Sequence, residues 1–105
     1  MELSVMSPVL NNMGLEEAIK YLGSLKVDSM ELGVGGYPGK ALCDAKDFLE
    51  NPEKIENLKK LLADNNIKLS ALACHGNPIH PDKKIAKEFE DDFNNAVLHA
   101  EKLGV

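Results

Sequence analysis

The sequence predicts an α/β fold of parallel strands joined by helices, on three observations. Three short apolar runs, at positions 3–6, 28–34 and 67–74, are each followed by a stretch with helical periodicity. Their starts near 3, 28 and 68 lie about 25 and 40 residues apart, enough for a strand, a helical crossover and a return. The runs are largely apolar instead of strictly alternating, as in parallel strands covered on both faces. Right-handed crossovers are the expected connection.

The first strand ends at Ser7-Pro8, because proline has no N–H for a ladder. Asn11, Asn12 and Gly14 are turn residues. Leu15, Ala18, Ile19, Leu22 and Leu25 then recur at helical spacing, with Glu16, Glu17 and Lys20 opposite. The second strand covers 28–34. Residues 35–50 read as one long connection, opened by Gly35-Gly36-Tyr37-Pro38-Gly39; connections that long are often functional.

Asn51-Pro52-Glu53 is a helix start. Asn51 is expected to accept a free N–H, Pro52 suits the first helical position, and Glu53 suits the positive end of the dipole. Ile55, Leu58, Leu61 and Leu62 form its apolar stripe, and Asn65-Asn66 can end it. After the third strand, His75-Gly76-Asn77-Pro78 and His80-Pro81-Asp82 make a turn-rich loop. A third helix follows. Ile85, Phe89, Phe93, Val97 and Ala100 are expected to face the core, His99 to face solvent, and Gly104 to stop the helix.

Composition excludes some functions. The 105 residues suit one domain, read as 1–105, and the net charge of −5 argues against a nucleic-acid partner. All 12 basic residues are Lys, so no guanidinium is present to clamp a phosphate in bidentate fashion. An anion would rest on Lys, backbone N–H groups or a helix N-terminus. Cys43 and Cys74 make no disulfide framework and read as buried thiols in a reducing compartment. The chain begins without a basic, then apolar, leader, and no apolar run approaches the ~20 residues of a membrane span. The cytoplasm is the expected location, with no membrane partner.

In parallel βα folds, ligands bind at the C-terminal ends of the strands. Alternation places Met30 and Leu32 on one face and Ser29, Glu31 and Gly33 on the other. Glu31 reads either as an acceptor for substrate hydroxyls or part of an acid/base site, or else as half of a salt bridge to a neighbouring strand's Lys. His75 follows directly from the third strand and reads either as a donor, acid/base group or metal ligand, or as a satisfied polar residue. His80 reads as a loop residue. Gly35, Gly36 and Gly39 leave room for a phosphate against the backbone or simply make a turn, since neither a dinucleotide fingerprint nor a P-loop is present. Cys74 and His75 point to opposite faces, poor geometry for a nucleophilic dyad. With no Cys-x-x-Cys and no His-Glu-x-x-His, a closed metal site within the chain is not expected.

Three stretches together resemble the sugar-phosphate isomerase/epimerase family of xylose-isomerase-like barrels. They are Leu-Ser-Val-Met-Ser-Pro at 3–8, Val-Asp-Ser-Met-Glu-Leu-Gly-Val-Gly-Gly-Tyr-Pro-Gly at 27–39, and Leu-Ser-Ala-Leu-Ala-Cys-His-Gly-Asn-Pro-Ile-His-Pro at 69–81. The resemblance implies the first three βα units of a (β/α)8 TIM barrel, incomplete as given, with Val105 where a fourth strand would begin. It implies proton transfer beside a carbonyl on a small sugar or sugar phosphate, assisted by a divalent metal (Mn, Mg, Zn or Co). The family's metal ligands lie in the barrel's second half, so no catalytic residue is assigned here, and the chain alone is expected to hold no metal and show no turnover. The resemblance places Glu31 at the end of the second strand and His75 after the third. Glu31, Gly35, Gly36, Tyr37, His75 and Asn77 are the expected substrate-contacting residues, with His75 the one metal-ligand candidate. The expected partner is the rest of the barrel or further copies of the chain. A non-catalytic module that self-associates through open sheet edges, or binds a small ligand, is the alternative. A flavodoxin-like domain would need more strands and a phosphate-binding or acidic first loop, which Met6-Ser7-Pro8-Val9 does not supply.

Overall fold

The computed structural model describes residues 2–105. Strand β1 (Ser4–Met6) leads into a 3-10 turn (Ser7–Leu10) and helix α1 (Leu15–Ser24). Strand β2 (Ser29–Gly36) is followed by α2 (Ala45–Glu50) and α3 (Pro52–Asp64), and strand β3 (Lys68–His75) by α4 (Lys83–Leu103). The strands form one parallel sheet in the order β1-β2-β3.

Alternation along β2 sends Met30 and Leu32 into the core, both at 0% exposure. With Val34 they meet Ile19 and Leu22 of α1, Phe48 of α2, and Ile55, Leu58 and Leu62 of α3. Val5, Leu69, Leu72 and Cys74 border the same cluster. All the helices therefore cover one face of the sheet. The opposite face carries Ser4, Met6, Ser29, Glu31, Gly33 and Ser70 and has no helix over it among the described residues; Ser4, Met6 and Ser70 are exposed and Glu31 is half-buried, whereas Ser29 is buried and Gly33 lies against Pro38 and Ser7.

Several local expectations hold for their stated reasons. Pro52 opens α3, Asn66 (φ 55°) takes the left-handed conformation just past its end, and Gly104 (φ 76°) does so past α4. Asp82 caps α4 by accepting the Lys84 N–H at 2.9 Å.

Other expectations are corrected. Residues 35–50 are not one loop: β2 runs on through Gly36, and α2 forms where Asp44 accepts the Lys46 N–H at 3.1 Å. At six residues, α2 shows little periodicity of its own; buried Ala45 and Phe48 hold it to the core. Asn51 does not cap α3 with its side chain, which instead donates backward to the Asp47 carbonyl at 2.9 Å. Leu25 lies past the end of α1 and is exposed.

The largest correction concerns α4. Phe93 (57% exposed) and Val97 (52%) face outward, Ile85 is exposed, and Phe89 and Ala100 are half-buried. The face turned inward carries Ala96 and His99, and His99 is 0% exposed. The helix is rotated about its axis relative to its most apolar stripe. It meets the sheet and α2 with Asp92, Ala96 and His99 and leaves Phe93 and Val97 beside the outer edge of β3, an edge that pairs with no strand among the described residues.

Candidate functional site at the carboxyl ends of the strands

The register aligns Gly36 with His75 at the carboxyl ends of β2 and β3. The ladder continues one step beyond, where the Tyr37 N–H donates to the His75 carbonyl at 2.6 Å. Gly36 adopts φ +64°, and a Cβ there would overlap the His75 carbonyl oxygen. Glycine is required because the two strand ends close directly on each other.

The group that approaches Gly35-Gly36 is a side chain of α4. Asp92 Oδ2 accepts the Gly36 N–H at 2.9 Å, and a Cβ on Gly35 would meet the Asp92 side chain at 3.1–3.3 Å. Lys40 pairs with the other carboxylate oxygen at 2.8 Å. Hydrogen bonding to Asp92 holds the Lys40 ammonium above its ordinary range, opposed by partial burial. The room left by the two glycines is thus filled by a carboxylate of the chain itself, where sequence reading allowed a phosphate. Asp92 was missed because it lies 56 positions from Gly36 on what reads as a polar helix face. The adjacent glycines were the available signal that something comes close.

Around this junction, Tyr37 stacks on Phe89 with centroids 5.0 Å apart, tilted by 54°. Gly76 lies against the same ring, so tightly that a Cβ would overlap it. Cys74, His75, Gly76, Pro78, Phe89 and Phe93 border a hollow of about 320 Å³. His75 is exposed, and Asn77 is half-buried with its carbonyl accepting the His80 N–H at 3.1 Å. His80 belongs to the loop, its Nδ1 accepting the Asp82 N–H at 3.0 Å. The Cys74 thiol turns toward the core while His75 turns away, as alternation requires; burial, then the nearby Asp92 carboxylate, push the thiol upward.

The structure brings Gly35, Gly36, Tyr37, His75 and Asn77 to one end of the sheet. Glu31 is not among them. It is the third residue of β2, level with Met6 and Ala71, so its placement at the strand end is corrected. Positions 71 and 75 are separated by roughly 13 Å along a strand. The β2 strand is longer than the apolar run that foreshadowed it, because glycines continue it. Glu31 lies on the uncovered face, below the level of His75. Among the described residues, no three His, Cys, Asp or Glu side chains gather as a metal-binding group.

Fold and site together define an α/β segment with an open parallel sheet whose helices, among the described residues, cover one face. No family model matches the chain. Over all 105 residues it is 28% identical to the uncharacterized protein YfiH of Bacillus subtilis (strain 168). The chain spans 33% of that relative's length. No helix among the described residues is long and apolar enough to cross a membrane.

Proposed function

We propose that this chain forms the first three βα units of a (β/α)8 barrel of the sugar-phosphate isomerase/epimerase kind and supplies part of its substrate-contacting rim. One observation carries the reading: three parallel strands in sequential order hold every helix among the described residues on one face and none on the other. In a closed barrel that bare face is the interior, and the carboxyl ends of the strands form the mouth. Gly35, Gly36, Tyr37, His75 and Asn77 then belong to the mouth. Glu31 faces the interior beneath it, placed to accept hydrogen bonds from substrate hydroxyls. The parent chemistry is proton transfer beside a carbonyl, with a divalent metal in the remaining units.

Titration of the isotope-labelled chain with aldose and ketose phosphates tests this. Amide shifts are expected at Glu31, Tyr37 and His75, weakened by Glu31→Gln, with no deuterium exchange at the sugar carbon beside the carbonyl. Shifts confined to the hollow beside α1, lined by Met13, Glu17 and Tyr21, would refute the assignment. Turnover by the chain alone would refute the absence of catalytic residues from it.

A second reading rests on the exposed α4 stripe. Ser70, Leu72, Phe93, Val97 and Ala100 line a groove of about 360 Å³ along the outer edge of β3. Apolar surface beside an unpaired strand favours association. A self-associating module predicts a dimer or larger species in sedimentation at micromolar concentration; a monomer rejects it.

A further inference from the structure

His99 is fully buried on the inner face of α4, and among the described residues neither ring nitrogen has a hydrogen-bond partner. A neutral imidazole always carries one N–H, so this donor is left unsatisfied, a cost that buried polar groups usually avoid. The ring rests on Phe48 of α2, centroids 5.3 Å apart and tilted by 59°. With Ala45, Phe48 is one of two buried side chains by which this short helix is held.

We propose that His99 is an acid-sensitive latch: while neutral it seats α2 against α4, and its protonation releases the segment around α2 from the rest of the fold. An imidazolium carries two N–H donors and a charge, and among the described residues neither nitrogen meets an acceptor or a counter-ion. Titratable groups on the elements packed against α4 include the Cys43 thiol, Asp44, Lys46, Asp47 and Glu50 of the α2 segment, Glu53 and Lys54 of α3, Glu31 of β2, Cys74 and His75 of β3, and Lys40, the partner of Asp92. None of them offsets the burial, which alone lowers the His99 pKa. The α2 segment is the element able to yield, because it is a helix of six residues and one of the two side chains that join it to the main core, Phe48, is the one the His99 ring rests on. The same stretch of chain carries Lys40, so release would also loosen the Lys40–Asp92 pair that braces Gly36.

The folded form keeps His99 neutral, so the stabilisation is complete above the ordinary imidazole value of about 6.5 and declines as pH falls below it. Hydrogen exchange of the chain, corrected for intrinsic rates, is expected to show protection of the α2 amides dropping about tenfold or more between pH 7.5 and pH 5. Protection in β2 and α3 should hold. In His99→Phe the drop should vanish, while in His75→Asn it should persist. Equal loss across all elements, or an unchanged drop in His99→Phe, would overturn the latch. Should that variant not fold, imidazole ¹⁵N shifts of the unmodified chain decide. Titration of His99 below the ordinary imidazole range in step with α2 exchange supports the latch, and titration at an ordinary value without α2 exchange refutes it.

Discussion

The hydroxyls of Ser4 on β1 and Ser70 on β3 lie 3.4 Å apart, although β2 runs between their strands. Two strand spacings in a flat sheet amount to roughly 9.5 Å. Ser70 sits where the β2–β3 register shifts between Met30 and Glu31, and its hydroxyl also donates to the Met30 carbonyl at 3.0 Å. A bulge bends its strand. Here the bend leans β3 over the bare face of β2, as the wall of a cylinder curves toward its axis. Ser70→Ala is expected to cost about 1 kcal/mol, the worth of one such hydrogen bond, read by urea denaturation. No loss would show that the bend does not depend on the hydroxyl.

The strand-end junction predicts a hierarchy among glycines. Gly36→Ala combines a left-handed backbone with overlap on the His75 carbonyl, and is expected to cost about 3 kcal/mol or more. Gly39→Ala has a similarly positive φ, +83°, but open space around it, and should cost only about 1 kcal/mol. Equal costs in thermal melts would contradict the close approach of β2 to β3.

Asp92→Asn keeps an acceptor for the Gly36 N–H but loses the ion pair. Its cost is expected at about 1 kcal/mol, because the Lys40 side chain is 42% exposed and water screens the pair. Asp92→Ala should cost about 2 kcal/mol by leaving that N–H unpaired. A double-mutant cycle with Lys40→Ala checks the split: a coupling near zero would remove Lys40 from the brace.

The thiols should differ in alkylation from free cysteine. Burial, with smaller contributions from Asp44 and Asp47, pushes Cys43 up to about 12. At pH 8 its thiolate fraction is then on the order of one in ten thousand. Iodoacetamide should leave Cys43 unmodified in the folded chain, label Cys74 slowly and label both after unfolding, as followed by mass spectrometry. Rapid labelling of Cys43 would mean that its environment opens readily.

Leu58→Ala, at a fully buried position, is expected to cost about 3 kcal/mol. Phe93→Ser should change stability by less than about 0.5 kcal/mol, since the ring is largely in solvent. Phe93→Ser is the direct test of how α4 is rotated, and Leu58→Ala on α3 gives the scale of a core truncation.

Much of this was legible in the residues. Hydrophobic periodicity located α1, α3 and the three strands, and Pro52, Asn66 and Gly104 marked helix ends, because those signals are local backbone chemistry. The inward face of α4 was not legible. Phe89, Phe93 and Val97 form its most apolar stripe, yet contact is decided by what β3 and α2 present opposite, and the space there takes Ala96 and the ring of His99. Nor was the end of β2, since glycine carries no strand propensity and only pairing with β3 extends the strand to Gly36.

The sequence by itself determined the parallel α/β class and the side of β2 on which Glu31 lies, since the two-residue period of a strand fixes the face. Tertiary structure alone decided the level of Glu31 below His75, the closing of Asp92 on Gly36 and the burial of His99. Each of these depends on register, or on the rotation of one element against another, and those quantities are set by the summed packing of distant segments.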